Sequence, residues 1–183
     1  MKKGILIALL MLVAQPATFA KAENGPLNLL LTGGREDNAI QISLSPDGRE
    51  YLIDSIVALD VGGDVCWHPE SDMTELVCDA PSIAGFEVNV GSGDDTVILT
   101  PDITIPATLR GGPGHDRLVG AGAADKVVGG AGDDLLGGRR GDDWIFGGPG
   151  DDRLLGGPGN DQLRGGPGAD TVNGGPGQNN VLP

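Results

Sequence analysis

From Gly111 to Leu182 the chain repeats every nine residues, eight units in 72 residues without a gap. In order they read GGPGHDRLV, GAGAADKVV, GGAGDDLLG, GRRGDDWIF, GGPGDDRLL, GGPGNDQLR, GGPGADTVN and GGPGQNNVL. Such a period confines the tract to a stack of short coils, because each unit can bury its apolar side chain only against its neighbours. An earlier copy, VGSGDDTVI, covers 90–98, and a fainter one, GGREDNAIQ, covers 33–41. Without the period, 33 Gly and 13 Pro in 183 residues would read as a disordered linker. Glycine at every third position, as collagen requires, is absent.

The columns of the unit assign its parts. Columns 1, 2 and 4 are mostly Gly, which permits positive φ and close backbone approach. Column 3 is Pro in five units (Pro113, Pro149, Pro158, Pro167, Pro176), and Gly-Pro-Gly suits a type II turn. Column 6 is Asp in seven of the eight: Asp116, Asp125, Asp134, Asp143, Asp152, Asp161 and Asp170. Column 8 is always aliphatic, from Leu118, Val127, Leu136 and Ile145 to Leu154, Leu163, Val172 and Val181. One inward side chain between two outward ones is a three-residue strand. Each unit is thus a six-residue turn followed by a short strand, and two units make one coil of 18 residues.

Eight aliphatic side chains are a thin core for such a tract, and stacked coils set one acidic turn against the next. A column of unneutralised Asp is repulsive. A hard divalent cation answers both problems, since carboxylates and turn carbonyls are the oxygen ligands that calcium prefers. Mg2+ demands stricter octahedral geometry, and transition metals favour His or Cys, of which the repeats hold only His115.

The pattern G-G-x-G-x-D-hydrophobic resembles the RTX (hemolysin-type) calcium-binding repeats of secreted bacterial proteins. The resemblance covers 72 contiguous residues plus the outliers at 90–98 and 33–41. It implies an all-β fold, a right-handed parallel β-roll (a β-solenoid), with several Ca2+ held between turns on the same flank. The implied ligands are Asp116, Asp125, Asp134, Asp143, Asp152, Asp161 and Asp170, with Asp95 from the earlier copy. Turn carbonyls, those of Gly111, Gly129, Gly147, Gly156 and Gly165, complete the set.

Departures from the pattern separate the two flanks. Units starting at 111, 129, 147 and 165 keep Gly in columns 1, 2 and 4 and Asp in column 6, which predicts three good sites on that flank. On the other flank Ala123 replaces a Gly, Arg139 and Arg140 fill columns 2 and 3, and Asn179 replaces Asp, which predicts weaker or fewer sites. The Arg139-Arg140 turn brings positive charge to a place suited to a cation. Asp133, Asp142 and Asp151 in column 5 read as a solvated acidic edge or as outer charge around a cation. Trp144 and Phe146 flank Ile145 and should point outward, as a contact patch or under neighbouring structure.

Residues 1–22 read as a signal peptide: Lys2 and Lys3, an apolar run Gly4 to Ala14, then Pro16 and small residues, with cleavage after Ala20 or Ala22. That run is too short to span a bilayer, and no other segment is long enough, so the mature chain should lack a membrane span. Export makes a Cys66–Cys78 disulfide the default, with a metal site including His68 as the poorer alternative. Residues 23–89 hold short runs (LNLLLT, AIQISL, YLIDSIVAL, AGFEVNV) between turn signals. They read as an irregular β cap on the roll of 90–183, a separate small β-sandwich being the alternative. The insert Leu99 to Arg110 should add a strand without a calcium turn.

A formal net charge of −14 excludes ordinary electrostatic binding to nucleic acid or anionic lipid. There is no HExxH, no GxSxG and only two histidines, His68 and His115, so no catalytic role is expected. The expectation is an exported, non-enzymatic calcium-binding protein, secreted to the medium or held in the periplasm or at the surface. Its repeat tract should be disordered without calcium. The alternative is a calcium-scaffolded surface or matrix interaction protein of the adhesion type.

Overall fold

The computed structural model describes residues 27–55, 66–67, 75–79 and 83–182. The predicted signal peptide, His68 and the end of YLIDSIVAL lie outside the described residues. Among the described residues there are sixteen strands and no helix, hence none long and apolar enough to cross a membrane.

Every repeat folds as its columns require. The strands β9 (Arg117–Val119), β10 (Lys126–Ala131), β11 (Leu135–Gly137) and β12 (Trp144–Phe146) all begin at column 7 of their units. So do β13 (Arg153–Leu155), β14 (Gln162–Arg164), β15 (Thr171–Asn173) and β16 (Asn180–Leu182). Successive strands alternate between two parallel sheets, so each strand pairs with the one 18 residues away: Val127 with Ile145, Ile145 with Leu163, Leu118 with Leu136. The two sheets face each other, and the column 8 side chains between them form the core.

The same two sheets continue upstream. One contains β1 (Leu27–Thr32), β6 (Ile83–Asn89) and β8 (Ala107–Pro113) ahead of β10; the other contains β2 (Ala39–Leu44) and β7 (Thr96–Leu99) ahead of β9. The worn copy at 33–41 therefore takes a full turn-and-strand position, with Ile40 paired to Val97. The insert also hides a unit. Residues 102–110 (DITIPATLR) lack glycine, yet Thr108, Leu109 and Arg110 pair with Lys126, Val127 and Val128 as columns 7 to 9 should. Leu99, Thr100 and Pro101 are surplus to the period.

Beyond β2 the pairing changes from parallel to antiparallel. Strands β3 (Glu50–Ser55), β4 (Cys66–Trp67) and β5 (Glu75–Asp79) add to it antiparallel, in the order β2-β3-β5-β4. This extension covers the edge that β2 would expose, and its described strands belong to the sheet of β2. Tyr51 packs edge-on against Phe86, ring centroids 4.9 Å apart, and so ties the cap to the opposite sheet. Cys66 stands opposite Cys78 in the β4/β5 register.

The core is not uniform along the roll. Leu118, Val127, Leu136, Ile145, Leu154 and Leu163 are buried, but Val172 is only half-buried and Val181 is 47% exposed. All eight column 8 side chains were expected inside; the last two belong to β15 and β16, the edge strands of the two sheets among the described residues. Ile145→Ala should therefore cost about 2–5 kcal/mol, from lost transfer energy and the cavity left behind. Val181→Ala should change stability by less than about 0.5 kcal/mol. Denaturant midpoints measured with calcium present check the contrast.

Trp144 and Phe146 do point outward, 6.1 Å between ring centroids. Each is covered by a cation from a neighbouring rung, Lys126 over Trp144 at 4.6 Å and Arg164 over Phe146 at 5.7 Å. Lys126 and Arg164 thus lie on a sheet face, while the column 6 carboxylates lie on the turns.

Candidate metal centre

The six-residue turns stack in two columns, one on each flank. One flank holds 33–38, 90–95, 111–116, 129–134, 147–152 and 165–170; the other holds 120–125, 138–143, 156–161 and 174–179, below the turn that leads into Ala107. Glycine is required where the coils meet. Gly112, Gly130, Gly148 and Gly166 in column 2, and Gly114, Gly132, Gly150 and Gly168 in column 4, all have φ between 118° and 150°. A Cβ at Gly148 would strike the backbone of Gly130, one coil away.

The column 6 side chains form a ladder along each flank. The amide of each donates to Oδ1 of the next: Asp95 to Asp116 at 2.9 Å, Asp116 to Asp134 at 2.8 Å, Asp134 to Asp152 at 2.9 Å, Asp152 to Asp170 at 2.9 Å. The other flank repeats this from Asp125 to Asp143 at 2.8 Å, Asp143 to Asp161 at 2.9 Å and Asp161 to Asn179 at 2.8 Å. One carboxylate oxygen per Asp is thereby fixed.

The second oxygen is not. Oδ2 of Asp95, Asp116, Asp134, Asp143, Asp152 and Asp161 is buried without a hydrogen-bond donor. Except at Asp95, whose column 1 residue is Val90, it lies over the column 1 glycine of its own turn, where a Cβ would collide with it. The same point is 2.6 Å from the Gly129 carbonyl oxygen for Gly111, 2.8 Å from that of Gly147 for Gly129, and 2.7 Å from that of Gly165 for Gly147. A bare carboxylate oxygen and a carbonyl oxygen of the next coil thus converge.

Position 38 shows what this geometry means. There column 6 is Asn, and its Nδ2 donates to the Val90 carbonyl at 3.1 Å, while also bonding Asp95 Oδ1 at 2.8 Å. An amide N–H meets the next-coil carbonyl productively. At the Asp positions two oxygens meet instead, which is unfavourable unless a cation lies between them. The donors are hard oxygens, and the cradle, open at glycine, suits calcium. Among the described residues no three His, Cys, Asp or Glu side chains cluster, so such a site depends on backbone carbonyls.

Electrostatics agree. Burial pushes Asp116 up to about 6, Asp134 to about 7 and Asp143 to about 7, with the neighbouring column 6 carboxylates adding to the rise and the amide hydrogen bonds opposing it. Asp95, Asp125, Asp152 and Asp161 are also raised, again chiefly by burial. Asp170, whose flank has no described turn beyond it, is half-buried.

The sequence reading missed a second ladder. Column 5 side chains accept amides from the following coil: Asp94 from His115 at 2.8 Å, His115 Nδ1 from Asp133 at 3.0 Å, Asp133 from Asp151 at 2.9 Å. Asp142 and Asn160 do the same on the other flank. The two ladders run in opposite directions along the roll. The signal was present, since column 5 holds Asp, Asn or His in five of the eight units.

A family model for the RTX calcium-binding nonapeptide repeat (4 copies) matches residues 110–145, 129–163 and 146–181. No curated protein and no solved structure matches the chain.

Proposed function

We propose, from the premise that residues 110–181 are RTX calcium-binding nonapeptide repeats, that this chain is an exported, non-enzymatic protein whose repeat tract folds or rigidifies on binding several Ca2+. The observation that carries the reading is the buried, donor-less Oδ2 of Asp116, Asp134, Asp143, Asp152 and Asp161. On one flank Asp116, Asp134 and Asp152 each face a following turn whose column 1 carbonyl completes the cradle; on the other, Asp161 does so. Calcium, when bound, supplies the positive charge that these facing oxygens lack. The chain's part is to hold the oxygens in place through the amide ladder, so that little reorganisation is needed.

Export supports the coupling. Extracellular calcium modules bind at about 10⁻⁴–10⁻³ M, so calcium outside the cell would fill sites left empty within it. At ten times Kd each site adds about 1.4 kcal/mol to the folded state, and several sites together decide whether the tract folds. The Cys66–Cys78 register, with no free cysteine among the described residues, supports a disulfide in the cap, as an oxidising destination would permit.

The test is calcium titration of the stripped full-length protein by circular dichroism and calorimetry. The β signal should rise cooperatively at submillimolar to millimolar calcium, with several ions bound, and Asp134→Ala should lower the ion count. A flat spectrum with no bound calcium would refute the reading. A surface-interaction role is favoured by one observation, the Trp144–Phe146 pair with Trp144 at 38% exposure. Chelator-sensitive cell association that is lost in a Trp144→Ala variant would establish it.

A further inference from the structure

The turns nearest the cap differ from those below them, and in the same sense on both flanks. On one flank Asn38 Nδ2 occupies the position of the donor-less oxygens and bonds the Val90 carbonyl directly. On the other, the turn 120–125 brings Asp125 Oδ2 and the Gly138 carbonyl together at Gly120 as other turns do, but differs in its donors and backbone. Both of its carboxylate oxygens are satisfied: Asp125 Oδ1 by the Ala107 amide at 2.8 Å and Oδ2 by the Ala121 amide at 2.6 Å. None of its residues has positive φ, and Ala121 and Ala123 stand where other units place left-handed glycines.

Arg139 supplies the missing charge. It is the single non-glycine residue with positive φ, 78°, among the described residues. An L side chain adopts that conformation only at a cost, so something must offset it. Its Nη1 reaches back along the flank and donates to the carbonyls of Leu99 and, at 2.8 Å, Gly120. Gly120 is a column 1 residue, so this carbonyl is the counterpart of those that converge on the lower Asp cradles. One guanidinium therefore joins three successive turns of this flank: its own, 120–125 and the one beginning at Leu99.

We propose that the roll carries its own calcium-free starter: Asn38 and Arg139 close the cap-proximal turns with built-in donors, Asp125 is not a calcium ligand, and these coils template the calcium-dependent ones below. The proposal rests on the calcium reading for the lower coils only. The cap end stays ordered in stripped protein, and folding proceeds away from it as calcium arrives. The expectation of a disordered calcium-free tract then narrows to the turns that lack a built-in donor.

Amide exchange and calcium counting on the full chain test it. In stripped wild-type protein the amides of Gly122 and Arg140, which bond the Ile103 and Ala121 carbonyls, should exchange at least tenfold more slowly than those of Gly157 and Gly159. Arg139→Gly suits the backbone angle, so any loss reflects the guanidinium; it should erase that protection. Asp125→Asn should leave the number of bound calcium ions unchanged, whereas Asp134→Asn should lower it by at least one. Loss of an ion in Asp125→Asn, or unchanged protection in Arg139→Gly, would overturn the proposal. Were no calcium bound by any form, the calcium reading would fall, and the exchange comparison would still decide the role of Arg139.

Discussion

Gly130→Val is expected to prevent the lower coils from forming at all. Gly130 has φ of 140°, and a Cβ there would lie 2.6 Å from the carbonyl carbon and 2.9 Å from Cα of Gly112, besides striking its oxygen. None of these atoms belongs to a flexible side chain. Relief requires the two coils to separate, which breaks the Gly114 amide bond to the Ala131 carbonyl at 2.8 Å and spreads the Asp116–Asp134 rung beside it. Strain at a left-handed, β-branched position and a backbone clash act together, so the loss should exceed about 4 kcal/mol. Gly137→Ala is the control. It sits in a strand, and its Cβ would meet only Val119 Cγ1 at 3.7 Å. That substitution should be neutral or stabilise by up to about 1 kcal/mol, because alanine restricts the unfolded chain. Thermal midpoints in calcium, with calcium-binding isotherms, separate the two outcomes.

Calcium affinity should fall steeply below neutral pH, and the calcium-free fold should show the opposite trend. In the folded, calcium-free roll Asp116 titrates near 6 and Asp134 and Asp143 near 7, against 3.8 in the unfolded chain. Between about pH 4 and 7 the folded form therefore holds more protons than the unfolded one. Its stability is greatest at the acid end of that window and declines as pH rises and the buried carboxylates ionise. Calcium takes the place of those protons. A site on Asp134 with pKa of about 7 should bind on the order of fifty- to a hundredfold more weakly at pH 5 than at pH 7.5. Isotherms at the two pH values, in buffers of differing ionisation enthalpy, read both the affinity and the protons released. Equal affinities with no proton release would contradict the raised carboxylates.

Much of this architecture could be read from the columns. Column 8 marks the inward side chain, and the observed strands begin one residue before it in all eight units. Column 6 marks the side chains that line the turns, because a short carboxylate or amide in a tight glycine turn lies beside the next coil. What escaped reading depends on distance along the stack. That Asp133 accepts the Asp151 amide follows from the coil spacing, which no local pattern encodes. The coil 102–110 was hidden because it folds without glycine, held by Ile103 and Leu109 in the core. The exposure of Val181 is likewise invisible in a column where every residue is aliphatic. Arg139 was legible as a positive charge on the weaker flank, but not as a side chain reaching two turns back to Leu99.

The surplus residues Leu99, Thr100 and Pro101 have a consequence of their own. A tract with an 18-residue coil could pair one coil out of step and still satisfy nearly every rung of both ladders. Identical neighbours make such alignments close in energy, and a chain with many of them would fold slowly into mixtures. The three extra residues occur once, at the end of β7 and just after it, and are fastened there by the Thr100 amide to the Ile42 carbonyl at 2.8 Å. A slipped chain would have to place them inside a six-residue turn. The interruption thus acts as a phase mark, choosing one alignment among several that the repeats alone would leave nearly degenerate.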